Sequence, residues 1–102
     1  MNRCHFLEKL MDDPELTEHY NSELLNFELE VEEYRKDKDG TKKRRTDILK
    51  FEVWDSAATT IHKYAQASDL LAVEAVARNG AGKSSGNIVF RVTNFKIIAR
   101  KL

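Results

Sequence analysis

Residues 34–45, YRKDKDGTKKRR, gather seven of the chain's seventeen Lys and Arg side chains into one short run. These are Arg35, Lys36, Lys38, Lys42, Lys43, Arg44 and Arg45, and Lys50 follows a few positions on. Tyr34 opens the run and Trp54 stands beyond its return segment. Clustered cations neutralise phosphates, and flat rings stack on bases. A basic groove with stacking platforms is the equipment for holding a single nucleic-acid strand. Arg78, and Lys83 in a later glycine-rich loop, are further candidates for backbone contact.

Other chemistry finds less support. His5, His19 and His62 are scattered, and Cys4 is the sole cysteine, so no set of ligands at metal-binding spacing is present. No Ser-His-Asp or Cys-His arrangement emerges, and Asp12-Asp13 sits in ordinary turn context before Pro14. Gly80-Ala81-Gly82-Lys83-Ser84 resembles the end of a phosphate-binding loop, but the first glycine of that motif is replaced by Ala77. A strand pattern follows where a helix should present its amides. The sequence therefore offers recognition without catalysis, with no metal and no cofactor.

The elements that must carry these residues follow from periodicity. Leu25, Phe27, Leu29 and Val31 alternate with Asn26, Glu28, Glu30 and Glu32, and Leu49, Phe51 and Val53 alternate with Lys50, Glu52 and Trp54. Period-2 alternation predicts half-buried strands over about 24–36 and 43–54. Asp39-Gly40 between them is a hairpin signal, because positive φ is cheap there. Trp54 takes the parity of Lys50, opposite Phe51 and Val53, and so faces away from the core. Glu28, Glu30 and Glu32 share a face with Tyr34 and oppose anion binding there.

A first strand is expected within 2–10, turn chemistry at 12–15, and a loop over 16–23. Asp55-Ser56 offers an N-cap for a helix over about 56–67, with Ala57, Ala58, Ile61, Tyr64 and Ala65 on one face. Strands are expected at 69–78 and 87–98, the latter with a bulge near Asn94, joined by the loop Asn79–Gly86. Three strands, a helix and two strands is the order of the OB-fold, a five-stranded Greek-key barrel with its helix between strands 3 and 4. Ile61 and Tyr64 are expected to plug one end.

At 102 residues, residues 1–102 read as a single OB-fold domain with one core. The formal net charge is zero, so any nucleic-acid face must be local. One cysteine suits a reducing compartment, and no apolar run marks a signal peptide or membrane span.

The chain resembles the bacterial and phage single-stranded-DNA-binding protein family. The matching pieces are Asn2-Arg3, Asp13-Pro14-Glu15, Asn26-Phe27-Glu28-Leu29, Tyr34 to Gly40, Thr46-Asp47, Trp54, Ala57 with Ile61 and Tyr64, and Asp69-Leu70-Leu71 with Val73-Glu74. They run in the family's order from about residue 2 to 98. Ser68 and Ala75 stand where the family usually has glycine, and Ile48 stands where a stacking Trp is common. Either Tyr34 or Arg35 takes the family's aromatic site. The resemblance implies a non-catalytic protein that coats single-stranded DNA in replication, recombination, repair, or plasmid or phage transfer. It implies a cytoplasmic, nucleoid-associated homodimer or homotetramer. The family's acidic C-terminal tail, which recruits replication proteins, has no counterpart in the ending Arg100-Lys101-Leu102. Two other readings fit the residues: an OB-fold adaptor that binds protein, and an RNA-binding OB module.

Overall fold

Hydrophobic alternation closes on itself in the computed structural model, which describes residues 1–82 and 85–98. In chain order the elements are β1 (Cys4–Leu10), β2 (Glu15–His19), β3 (Ser22–Lys36), β4 (Lys42–Trp54), α1 (Asp55–Tyr64), β5 (Leu70–Asn79) and β6 (Ile88–Ile98). The sheet order is β1-β5-β6-β4-β3-β2, and β1 also pairs with β3 through Lys9↔Glu30 and Leu10↔Leu29. That last pairing closes a barrel of β1, β3, β4, β5 and β6, as expected for an OB-fold. Among the named strands all pairings are antiparallel except β4–β6, which is parallel at Phe51↔Phe90 and Glu52↔Arg91.

The inward residues of these strands make one core. Leu10, Leu25, Phe27, Leu29, Phe51, Val53, Leu71, Val73, Ala75 and Val92 are buried together with Ala58 and Ile61 of the helix. Phe27 and Phe51 stack at 5.2 Å with an interplanar angle of 4°, and Phe6 meets Phe51 edge-on at 5.2 Å. Burial of this apolar surface is the main force holding the barrel.

Four local expectations need correction. Residues 16–23 are not a loop, since β2 pairs with β3 from Glu15↔Asn26 to His19↔Ser22. Leu16 packs against the core and the Thr17 hydroxyl donates to the Leu24 carbonyl, so the segment has both an apolar and a polar reason to be a strand. This extra strand places the helix between β4 and β5 in chain order, which is still between the third and fourth barrel strands.

The helix itself ends at Tyr64 rather than near 67. Beyond it the amide of Gln66 donates to the Asp69 carboxylate and that of Ala67 donates to Asp13, which fixes a turn instead of a further helical one. No side chain caps its start: the N-cap position is Trp54, and Asp55 lies in the first turn, where its charge faces the positive helix end. Tyr64 does not plug the barrel. The buried stripe is Ala58, Ile61 and Ala65, and Tyr64 falls beside it, 62% exposed, with Lys63 over its ring.

The expected bulge is present. Glu74 pairs with Asn94 and Ala75 with Val92, so Thr93 is the extra residue, and its hydroxyl donates to the Glu74 carbonyl. Among the described residues no helix is long and apolar enough to cross a membrane.

Candidate nucleic-acid interface

The β3–β4 ladder continues past the barrel as far as Lys36↔Lys42, so the basic run is a projecting two-stranded arm. Its tip is built by short contacts. The Gly40 amide donates to the Asp37 carbonyl at 2.9 Å, and Gly40 has φ 87°, a conformation costly for any residue with a Cβ. The Thr41 amide donates to the Asp39 carboxylate at 2.9 Å, and this hydrogen bond to Thr41 lowers the Asp39 pKa below its ordinary 3.8.

Carboxylates already meet four of the arm's seven cations. Arg44 Nη2 lies 2.8 Å from Glu32 and 3.5 Å from Glu30, on the face that also carries Tyr34. On the other face Lys43 Nζ is 2.9 Å and Arg35 Nε 4.0 Å from Asp37, and Arg45 Nε is 3.4 Å from Asp47. Lys36, Lys38, Lys42 and Lys50 have no ion pair among the described residues. Exposed pairs of this kind hold weakly, so a phosphate competes for the paired cations while the arm's free lysines, Lys36, Lys38 and Lys42, meet it directly.

Tyr34 is 65% exposed, opposite Arg44, and its hydroxyl donates to Glu32 at 3.4 Å. Ile48, on the same outer face, is 43% exposed. The acidic row Glu28, Glu30 and Glu32 does share this face, since Glu28 pairs with Lys50 and Glu30 with Ile48. A groove of about 290 Å³ beside it is lined by Asp12, Asp13, Glu15 and Glu28, with Lys50 as its cation. Phosphates are disfavoured there by like charge.

Trp54 lies on the outer face, as its parity requires, but at the opposite end of the ribbon. Ten ladder positions separate the Tyr34↔Arg44 and Leu24↔Trp54 pairs, which is about 33 Å along a strand. The two rings expected to stack on bases are therefore not brought together. Instead Trp54 is half-buried in a second cluster on the outside of the barrel. Arg91 lies over its ring at 5.9 Å, and His19 approaches at 5.8 Å. The indole Nε1 is sealed from solvent without a hydrogen-bond partner among the described residues.

Glu52, expected on the solvated side, is fully buried beneath this cluster. Arg91 Nε donates to it at 3.2 Å and the Ala81 amide donates at 3.3 Å. Leu24 is buried on the same outer face, and Gly82 of the 80–87 loop sits against it. Arg78 is exposed and pairs with Val89, one outer-face row beyond Val76↔Arg91, so it belongs with the Trp54 cluster rather than with the arm. Lys83 lies outside the described residues.

Arg91 and His19 were not singled out from sequence. Arg91 alternates outward between Phe90 and Val92, a signal that periodicity could have supplied. Its meeting with Glu52 depends on the parallel β4–β6 register, which no local pattern carries.

The comparisons with known proteins agree with this architecture. The model of the single-strand binding protein family matches residues 1–102. Two structures of the single-stranded DNA binding protein from Thermus aquaticus superpose closely. A deletion mutant lacking 228–252 and carrying R190A gives a TM-score of 0.82, and the wild type gives 0.80. Each is 12% identical in sequence over 97% of this chain. The chain spans about half the length of those proteins, 51% and 50% respectively. No curated protein sequence matches. The chain belongs to the single-strand binding protein family.

Proposed function

We propose that this protein binds single-stranded DNA without catalysis, as a coat for exposed strands in replication, recombination, repair or transfer of mobile DNA. Family membership supports the reading, and the observation that carries it is the outward Trp54. A large ring placed on the outside of a barrel, beside Arg91 and on the same strand that runs out into the cationic arm, suits base stacking next to a backbone contact. Lys36, Lys38 and Lys42 take phosphates directly, Lys50 contributes less because its groove is acidic, and Arg35, Lys43, Arg44 and Arg45 take phosphates by exchanging a carboxylate for a phosphate. Tyr34 stacks a base on the arm, Arg78 extends the backbone path near Trp54, and Lys83 is a further candidate for backbone contact from the sequence alone.

The protein acts as a homo-oligomer in this reading. The outer face of β1 and β5 supports it, because Leu7 is 58% exposed there with Ala72 as its pair. Sedimentation at micromolar concentration should give a mass above the 11.8 kDa of one chain. The function is tested by polarisation titration with labelled oligo-dT, oligo-U and duplex DNA. Tight, salt-sensitive binding of oligo-dT over duplex supports it, and equal or absent binding removes it.

A further inference from the structure

The turn between β2 and β3 carries a residue that its own geometry does not favour. His19 pairs with Ser22, leaving Tyr20 and Asn21 as the two central residues, with φ 47° and 65°. A two-residue hairpin turn of this hand needs positive φ at both places, and Asn, Asp and Gly fill them at least cost. Asn21 fits that rule. Tyr20 does not, since a bulky side chain at positive φ is an outlier.

Packing does not explain the ring either. Tyr20 is 91% exposed, so it adds almost nothing to any core. Strained backbone of this sort persists where the surroundings hold it, and it gathers at ligand sites. What the ring does touch is informative. It meets His19 edge-on at 4.6 Å, His19 lies 5.8 Å from Trp54, and Arg91 covers Trp54 at 5.9 Å. Three rings and a guanidinium thus form one continuous row on the outside of the barrel. Next to the turn the ribbon's carboxylates keep clear of this row: Glu18 and Glu23 pair with each other at the parity opposite to His19 and Leu24, and Glu15, which shares the row's face, lies at the far end of β2.

We infer that Tyr20 is a base-stacking residue of the single-strand site, extending the Trp54 platform outward along His19. The inference rests on the single-stranded-DNA reading above. It places a second stacking locus at the barrel end, far from the Tyr34 arm. A base resting on the open face of Tyr20 would leave its neighbour to Trp54 and a phosphate to Arg91.

The test compares Tyr20→Asn and Tyr20→Phe with the unaltered protein, using oligo-dT polarisation and thermal melting. Asn suits the turn better than Tyr, so Tyr20→Asn should melt at the same temperature or higher. It should nevertheless bind oligo-dT at least about fivefold more weakly, the lower bound for loss of one stacked base. Tyr20→Phe should bind like the unaltered protein. If Tyr20→Asn binds as well as the unaltered protein, the inference is overturned, and a protein contact becomes the better account of the ring. If Tyr20→Phe weakens as much as Tyr20→Asn, the hydroxyl rather than the ring acts, which also overturns it. Photocrosslinking of the unaltered protein to oligo-dT bearing 5-iodouracil avoids any folding ambiguity. An adduct on Tyr20 supports the inference, and adducts elsewhere with none on Tyr20 contradict it. Failure of the unaltered protein to bind oligo-dT at all sinks the parent reading, a result distinct from any of these.

Discussion

Glu52 and Arg91 meet across the parallel β4–β6 register, with Arg91 Nε donating to a carboxylate that has no exposed surface. The pair ties the last strand to β4 directly beneath Trp54, and the Ala81 amide adds the 80–87 loop to the same carboxylate. Removing one member leaves the other uncompensated. Arg91→Ala should destabilise the fold by about 3 kcal/mol, the low end for a buried pair because the Arg91 side chain is 32% exposed. Chemical denaturation checks this, and Glu52→Leu combined with Arg91→Leu should recover much of the loss.

Trp54 answers to two demands at once. Its half-burial against Arg91 and His19 makes Trp54→Ala cost stability, though less than the roughly 3–5 kcal/mol of a fully buried Trp. The same change should weaken oligo-dT binding by about 1–3 kcal/mol. Fluorescence from this single Trp should be quenched when oligo-dT is added.

The free lysines of the arm should set the salt dependence. Replacing Lys36, Lys38 and Lys42 with Gln should lower the slope of log affinity against log salt by about 2, near 0.7 per phosphate contact. Titrations at several salt concentrations measure it. Arg44 should behave differently, because its loss also uncovers Glu30 and Glu32.

That acidic row gives the opposite sign. Glu30→Gln with Glu32→Gln frees Arg44 and removes two like charges from the stacking face. Affinity for oligo-dT should rise by about two- to tenfold at low salt, and the gain should fade as salt screens exposed charges.

Strand parity made much of this legible. Asp39-Gly40 flanked by alternating apolar residues specified the β3–β4 hairpin, and the parity of Trp54 correctly put it outside the core. β2 was not legible because its turn, Tyr20-Asn21, lacks the glycine that announces a hairpin. Burial of Glu52 was hidden because it depends on Arg91 arriving from 39 residues away in a parallel register. The approximate 33 Å between Tyr34 and Trp54 was implicit in the strand lengths, yet a sequence pattern shows only that both rings flank the same hairpin. Tyr64 misled because Ala65, one position on, is small enough to take the inward place.

Acid should loosen the arm's tip first. Asp39 has its folded pKa lowered by the Thr41 hydrogen bond, so its contribution is present above the unfolded value near 3.8 and is lost as pH falls through the lower folded value. An NMR titration should show the Thr41 amide shifting with a midpoint below 3.8. Asp39→Asn should abolish that transition.

The most direct measurement of the central claim is a titration of oligo-dT of graded length, from about 4 to 16 nucleotides, followed by Trp54 fluorescence and polarisation together. Strand contact along the ribbon from Trp54 to the arm predicts quenching with the shortest oligonucleotides that bind. Affinity and salt slope should then step upward once the strand is long enough to reach Lys42 and Tyr34, with duplex DNA of equal length binding far more weakly. Length-independent affinity without quenching, or duplex bound as tightly as single strand, would contradict the account.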